Sequence, residues 1–170
     1  MIDVLAIQMI SVVVAAVSVV IGVINSILMS RRAAKTAQTT LETRQAQFFM
    51  QIFDNFHEPE FYNKLADFLT WNWKDYDDFM KKYGPETNPK AWYSSGSIAS
   101  FFEGIGVLVY QNLIDVGLVG DLMSRHVIRF WEKMEPISKE MRRRFNLPRM
   151  DEKTEYLYNE MLKREQRVQP

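Results

Sequence analysis

The amino-acid sequence predicts an all-α protein: one N-terminal transmembrane helix continuing into a stalk, then a compact helical cytoplasmic domain of about five to six helices. Three observations predict it. The first hydrophobic run, Val4 to Met29 (VLAIQMISVVVAAVSVVIGVINSILM), carries no ionisable side chain and ends against Ser30-Arg31-Arg32. At 1.5 Å per residue it extends about 39 Å, more than the roughly 30 Å of a bilayer core, so it can cross with some tilt. Beyond it, apolar residues recur at helical spacing in several separate blocks, and no stretch alternates as a half-buried strand would.

The expected organisation is an anchor over 1–30, a helical stalk over 31–47, a helical cytoplasmic domain over 48–165 and a frayed tail over 166–170. Lys plus Arg equals Asp plus Glu at 21 each, which argues against a nucleic-acid partner, since such a partner is held by a basic excess. The balance is uneven along the chain. Asp54 to Glu86 holds eight acids against four lysines, and Arg125 to Arg149 holds eight basic residues against three glutamates, which reads as two solvated faces or two helices that attract each other rather than as a site for an anionic partner. Cysteine is absent, which excludes disulfides, thiolate metal sites and thiol nucleophiles.

Within the apolar run the polar and small residues Gln8, Ser11, Ala15, Ser18, Gly22 and Asn25 follow one another at alternating steps of three and four. This is a heptad seam. Lipid gives Gln, Ser and Asn no hydrogen bonds, whereas a packed helix does, and small residues let two backbones approach. The seam therefore expects a helical partner, either a second copy or another membrane protein, with a pore lined by its polar members as the alternative. Only Asp3 and the α-amino group precede the run, while Arg31, Arg32, Lys35 and Arg44 follow. The positive-inside rule then puts the N-terminus outside and the bulk of the chain in the cytoplasm of a single-pass cell-membrane protein. The run is too long for a signal peptide and no convincing cleavage site follows it.

No Gly or Pro appears between Arg32 and Pro59, so one helix is expected from about residue 4 to Phe56, with Phe48, Phe49, Ile52, Phe53 and Phe56 thickening its apolar stripe. Pro59 suits the first turn of the next helix, which carries Phe61, Leu65, Phe68 and Leu69. Asp75 caps a short helix that Gly84-Pro85 stops. Pro85 to Ser97 is the longest expected loop, pinned by Trp92 and Tyr93. Ser97 then caps a central helix over Ile98 to Leu113, where Gly104 and Gly106 mark a close helix approach. Asp115 opens a short helix through Leu122, and a longer one follows with Val127, Phe130, Trp131, Met134, Ile137 and Met141 inward, kinked or broken at Pro136. Asn146-Leu147-Pro148 ends it, and Asp151 caps a last helix that frays after Lys163.

The polar candidates are few. His57 and His126 lack the spacing that supplies a second metal ligand, and Asp75, Asp77 and Asp78 lack the glycine and distal glutamate of a calcium loop. Glu103, in the most apolar stretch of the domain, is expected to pair with Arg125 or Arg129. Arg142, Arg143 and Arg144 form a candidate contact for anionic lipid, phosphate or an acidic partner, set against the simpler reading of a solvated helix end. No catalytic residue, metal site, cofactor or small-molecule substrate is expected.

Three stretches carry a resemblance: Trp71-Asn72-Trp73 followed by Tyr76 and Phe79, FFEGIGVLVYQNLID from Phe101 to Asp115, and FWEKMEPISKEMRRR from Phe130 to Arg144. Together they resemble a bacterial and archaeal family of membrane-anchored helical proteins catalogued as a domain of unknown function. The resemblance implies an N-terminal anchor and a helical domain, and carries no activity, cofactor or site residue. The expected function is that of an interaction, scaffold or accessory subunit of a membrane complex or homo-oligomer; the alternative is a small homo-oligomeric channel or membrane sensor.

Overall fold

Unbroken helix formers produce a first helix, α1, that runs from Val4 to His57. The structure, a computed structural model, describes the backbone of residues 4–168 and the side chains from Ser18 to Arg167 other than that of Val20. The expected anchor falls largely on Val4 to Val17, whose side chains lie outside the described residues, as do the seam residues Gln8, Ser11 and Ala15. Among the described residues no helix is long and apolar enough to cross a membrane. Five further helices follow: α2 (Pro59–Thr70), α3 (Tyr76–Tyr83), α4 (Pro89–Tyr110), α5 (Val116–Phe145) and α6 (Glu152–Val168). No strand forms among the described residues, so the chain is all-α. It divides into two units, Met1–Arg44 and Gln45–Pro170.

In the second unit the core is built mainly from aromatic rings. Phe49 and Phe56 of α1, Phe68 of α2, Phe79 of α3, Phe102 of α4, and Phe130 and Trp131 of α5 are all fully buried. Phe130 lies between Phe102 and Phe68, with ring centroids 5.0 and 5.3 Å away, so α5 touches α4 and α2 through one side chain. Such ring pairs prefer these tilted, offset geometries. The Trp71-Asn72-Trp73 turn closes on α3: Trp71 stacks on Tyr83 at 4.3 Å, and Trp73 meets Phe79 edge-on at 5.0 Å.

The expected first turn of α2 and the expected cap of α3 are present. Pro59 stands in the first turn of α2, where its missing N–H costs nothing. Asp75 accepts from the amide of Asp78 at 2.9 Å, and the Asp78 carboxylate accepts in return from the amide of Lys74 at 3.0 Å. Two otherwise unpartnered donors are satisfied at once.

Three expectations are corrected. The central helix starts at Pro89 rather than Ile98, because Asn88 accepts from the amide of Ala91 and Pro89 fits the first turn. Ala91, Ser95 and Ala99 are buried in it, and most of the expected loop from Pro85 to Ser97 is helix. The expected pair of helices after Asp115 is one helix, α5, of 30 residues. Its buried stripe, Val119, Met123, Val127, Phe130, Met134, Ile137 and Met141, runs without interruption. Packing along that stripe outweighs the roughly 3 kcal/mol that Pro136 costs a helix interior, and Pro136 sits on the exposed side. Finally, α6 continues beyond Lys163 to Val168, held by Arg164 on Asp121 at 2.7 Å and by Ser124 donating to Glu165 at 2.8 Å.

Candidate functional site

In the first unit the side chains described, from Ser18 to Arg44, are all exposed. Val19, Ile21, Val23, Ile24, Ile27, Leu28 and Met29 leave 44 to 70% of their surface open. Val19, Val23 and Ile27 lie on one side of the helix, and Ile21, Ile24 and Leu28 on another. The seam residues Ser18, Gly22 and Asn25 run between them. A β-carbon added at Gly22 would meet nothing within 4 Å among the described residues. After this apolar stretch come Arg31, Arg32 and Lys35, likewise exposed. The following turns are polar, with Thr39, Thr40 and Thr43 each donating to the carbonyl four residues earlier.

In the second unit the arginines of the expected anionic contact diverge. Arg142 turns toward α6, donating from Nε to the carbonyl of Met150 at 2.7 Å and from Nη1 to Glu155 at 2.6 Å. Arg143 grips Glu140 through both Nε and Nη2. Arg144 bridges Glu140 at 2.7 Å and Asp77 at 2.6 Å and lies over the ring of Tyr76 at 4.4 Å. Arg143 and Arg144 together pull the Glu140 carboxyl down to about 2. The basic end of α5 thus meets carboxylates of the chain itself, and the Arg144–Asp77 pair joins the basic and acidic segments.

Glu103 pairs with neither Arg125 nor Arg129. Its carboxylate accepts from the amide of Lys153 at 3.1 Å, the amide of Thr154 at 2.7 Å and the Thr154 hydroxyl at 2.9 Å. These are first-turn donors of α6, which an anion suits doubly because the helix dipole is positive there. Asp151, the expected cap of α6, instead accepts from the Ser138 hydroxyl at 2.6 Å and adopts a left-handed backbone with φ of 53°. The cap of α6 comes from α4, 50 residues away in sequence.

Burial pushes the Asp151 carboxyl up, and the nearby Glu103 charge adds to that, while the Ser138 hydroxyl and Arg142 oppose it. An unfolded Asp titrates at about 4, so the folded state holds this proton more tightly and loses stability as pH rises through the folded value. Asp151→Asn keeps an acceptor for Ser138 and tolerates the left-handed backbone. The variant should melt a few degrees higher than the wild type at about pH 7, with the difference closing at about pH 3. Thermal melts at the two pH values check this, and a lower melting temperature at neutral pH would contradict it.

The histidines do not converge on a metal. His57 Nδ1 lies 3.0 Å from the carbonyl of Phe53, and His126 packs edge-on against Phe56 at 5.0 Å. Among the described residues no cluster of three His, Asp or Glu could hold a metal ion. A groove of about 570 Å³ between α2 and the start of α4 mixes Glu60 and Asp67 with Lys64 and Lys90, and Lys64 already pairs with Glu60 at 2.6 Å.

Residues 5–161 match the family model described as a domain of unknown function, DUF4760. The chain belongs to that family. No curated protein and no solved structure matches it. The DUF4760 match takes in the exposed apolar helix as well as the aromatic domain, so the two units are parts of one family module. Sequence reasoning missed the role of Glu103 and the continuity of α5 within that module. The first left no signal in the sequence, and the unbroken 3–4 stripe from Val119 to Met141 was the available signal for the second.

Proposed function

We propose that this DUF4760 protein is a non-enzymatic single-pass membrane protein whose N-terminal helix is both anchor and assembly surface. It acts as an interaction, scaffold or accessory subunit of a membrane complex or homo-oligomer. The observation that carries this reading is the helix from Ser18 to Met29, apolar on several sides and uncovered by the rest of its unit. A helix apolar all round is stable only inside a protein core or in lipid. The sequence extends the same character back to Val4 with no charge, and the basic flank Arg31, Arg32 and Lys35 suits a cytoplasmic boundary. In lipid, apolar area gives helices no reason to associate, so the seam of Ser18, Gly22 and Asn25 supplies the packing and hydrogen bonding that choose a partner. The mechanism is placement of the helical domain at the membrane surface.

The test is the mass of the full chain extracted in mild detergent, with and without Ser18→Leu and Gly22→Leu together. A β-carbon at position 22 meets nothing within 4 Å among the described residues, and the double variant fills the seam with apolar side chains at exposed positions. The wild type is expected as a defined oligomer or with other subunits attached, and the variant is expected to lose them. Identical monomeric masses for both would end the seam reading, and recovery of the wild type from the soluble fraction would end the anchor.

A further inference from the structure

A second groove, of about 240 Å³, lies between α2 and α5. Its floor is apolar, from Leu65, Ala66 and Leu69, and its rim carries Tyr62, His126 and Arg129. None of the residues lining it is acidic. The charge around it is one-sided. Arg125, Arg129 and Lys133 stand at steps of four along α5, and none has a carboxylate within ion-pair distance among the described residues. Lys133 spends its protons on the carbonyls of Leu69 and Trp71 instead. Burial holds the His126 imidazole below its usual range, and the charges of His57, Arg125 and Arg129 lower it further. Its buried Nδ1 has no hydrogen-bond partner. Lys133 is pushed down in the same way, by burial and then by Arg129. Elsewhere on this unit Arg142, Arg143, Arg144, Arg149 and Arg164 meet acids. Here positive charge is left uncompensated beside an apolar hollow.

We propose that this groove binds a small organic acid, its apolar body on Leu65, Ala66 and Leu69 and its carboxylate on the Arg129 guanidinium. The planar guanidinium fork matches a carboxylate through two parallel N–H donors, and the uncompensated field favours an anion over a neutral isostere. The volume equals that of about eight liquid waters, which admits a ligand of about eight to ten non-hydrogen atoms and excludes a docking helix. Tyr62 and His126 at the rim suit a flat body.

Phenylacetate and its uncharged amide, phenylacetamide, are the probes, titrated calorimetrically into the full chain in a non-ionic detergent with detergent-only controls. Phenylacetate is expected to bind at one saturable site, and phenylacetamide at least about tenfold more weakly. Arg129→Gln, at an exposed position where the fold is unaffected, should weaken phenylacetate by about tenfold and leave phenylacetamide unchanged. Leu69→Trp, which fills the floor, should weaken both. Saturation with phenylacetate should also raise the His126 titration midpoint seen by NMR, since an anion replaces part of the missing negative charge. Equal affinity for acid and amide, no effect of Arg129→Gln, or no saturable binding up to about 10 mM would each overturn the proposal.

Discussion

Gly106→Ala is expected to destabilise the helical domain by about 2 to 3 kcal/mol, while Gly104→Ala, two residues away on the same helix, stabilises it by about 0.5 to 1 kcal/mol. The opposite signs come from one crossing. A β-carbon at Gly106 would lie 2.1 Å from the carbonyl oxygen of Lys153 and 2.5 Å from its carbonyl carbon. These are backbone atoms in the first turn of α6, so no side-chain rotation relieves the clash and α6 must lift away from α4. At Gly104 a β-carbon meets nothing within 4 Å, and the substitution only removes the excess chain entropy of glycine in a helix. Denaturant unfolding of both variants gives the two signs, and hydrogen exchange should show the Gly106→Ala loss concentrated in the amides of α6. Stabilisation of similar size by both variants would mean that helix propensity, not the crossing, governs this stretch.

The same crossing marks the boundary of what was legible in the sequence. Local features were readable because a helix start or an amphipathic stripe is written in adjacent residues. Pro59, Asp75 and Asn146 stand where their chemistry puts them, and Phe56, Phe68, Phe102 and Phe130 are buried as their spacing requires. The choice of cap at α4 failed because both Asn88 and Ser97 are suitable residues, and only the burial of Ala91 and Ser95 between them decides in favour of Asn88. Within α5, Gly120 is where Arg164 crosses, with its Nε 2.3 Å from where a β-carbon would be. Contacts between segments far apart in sequence left no local trace. Nothing near Glu103 says that its acceptors will meet the amides of residues 153 and 154, and Arg125 and Arg129 looked like partners only because they carry the complementary charge. For the exposed helix the structure shows that the described part of the expected seam, from Ser18 onward, is uncovered within its unit.

Glu103→Ala should cost about 3 kcal/mol, and Glu103→Gln about half as much. The carboxylate replaces the side-chain cap that Asp151 does not provide: it accepts two amides and a hydroxyl at the start of α6. Thr154 is fully buried, so removal of the acceptor leaves its N–H and O–H without water as well as without a partner. Each buried donor stranded in this way costs about 1 to 3 kcal/mol, which makes the alanine variant the most damaging. Glutamine keeps one oxygen for the two Thr154 donors but turns its own NH2 toward the amide of Lys153, and it gives up the attraction of a charge for the helix dipole. Because Glu103 and Gly106 act on the same turn of α6, their effects should not add. Once the β-carbon of Gly106→Ala has displaced Lys153, Glu103 has already lost its donors, and the double variant Glu103→Ala with Gly106→Ala should cost clearly less than the sum of the two single variants. A strictly additive double variant would show that the cap and the close approach are independent features of the domain rather than one joint that seats α6.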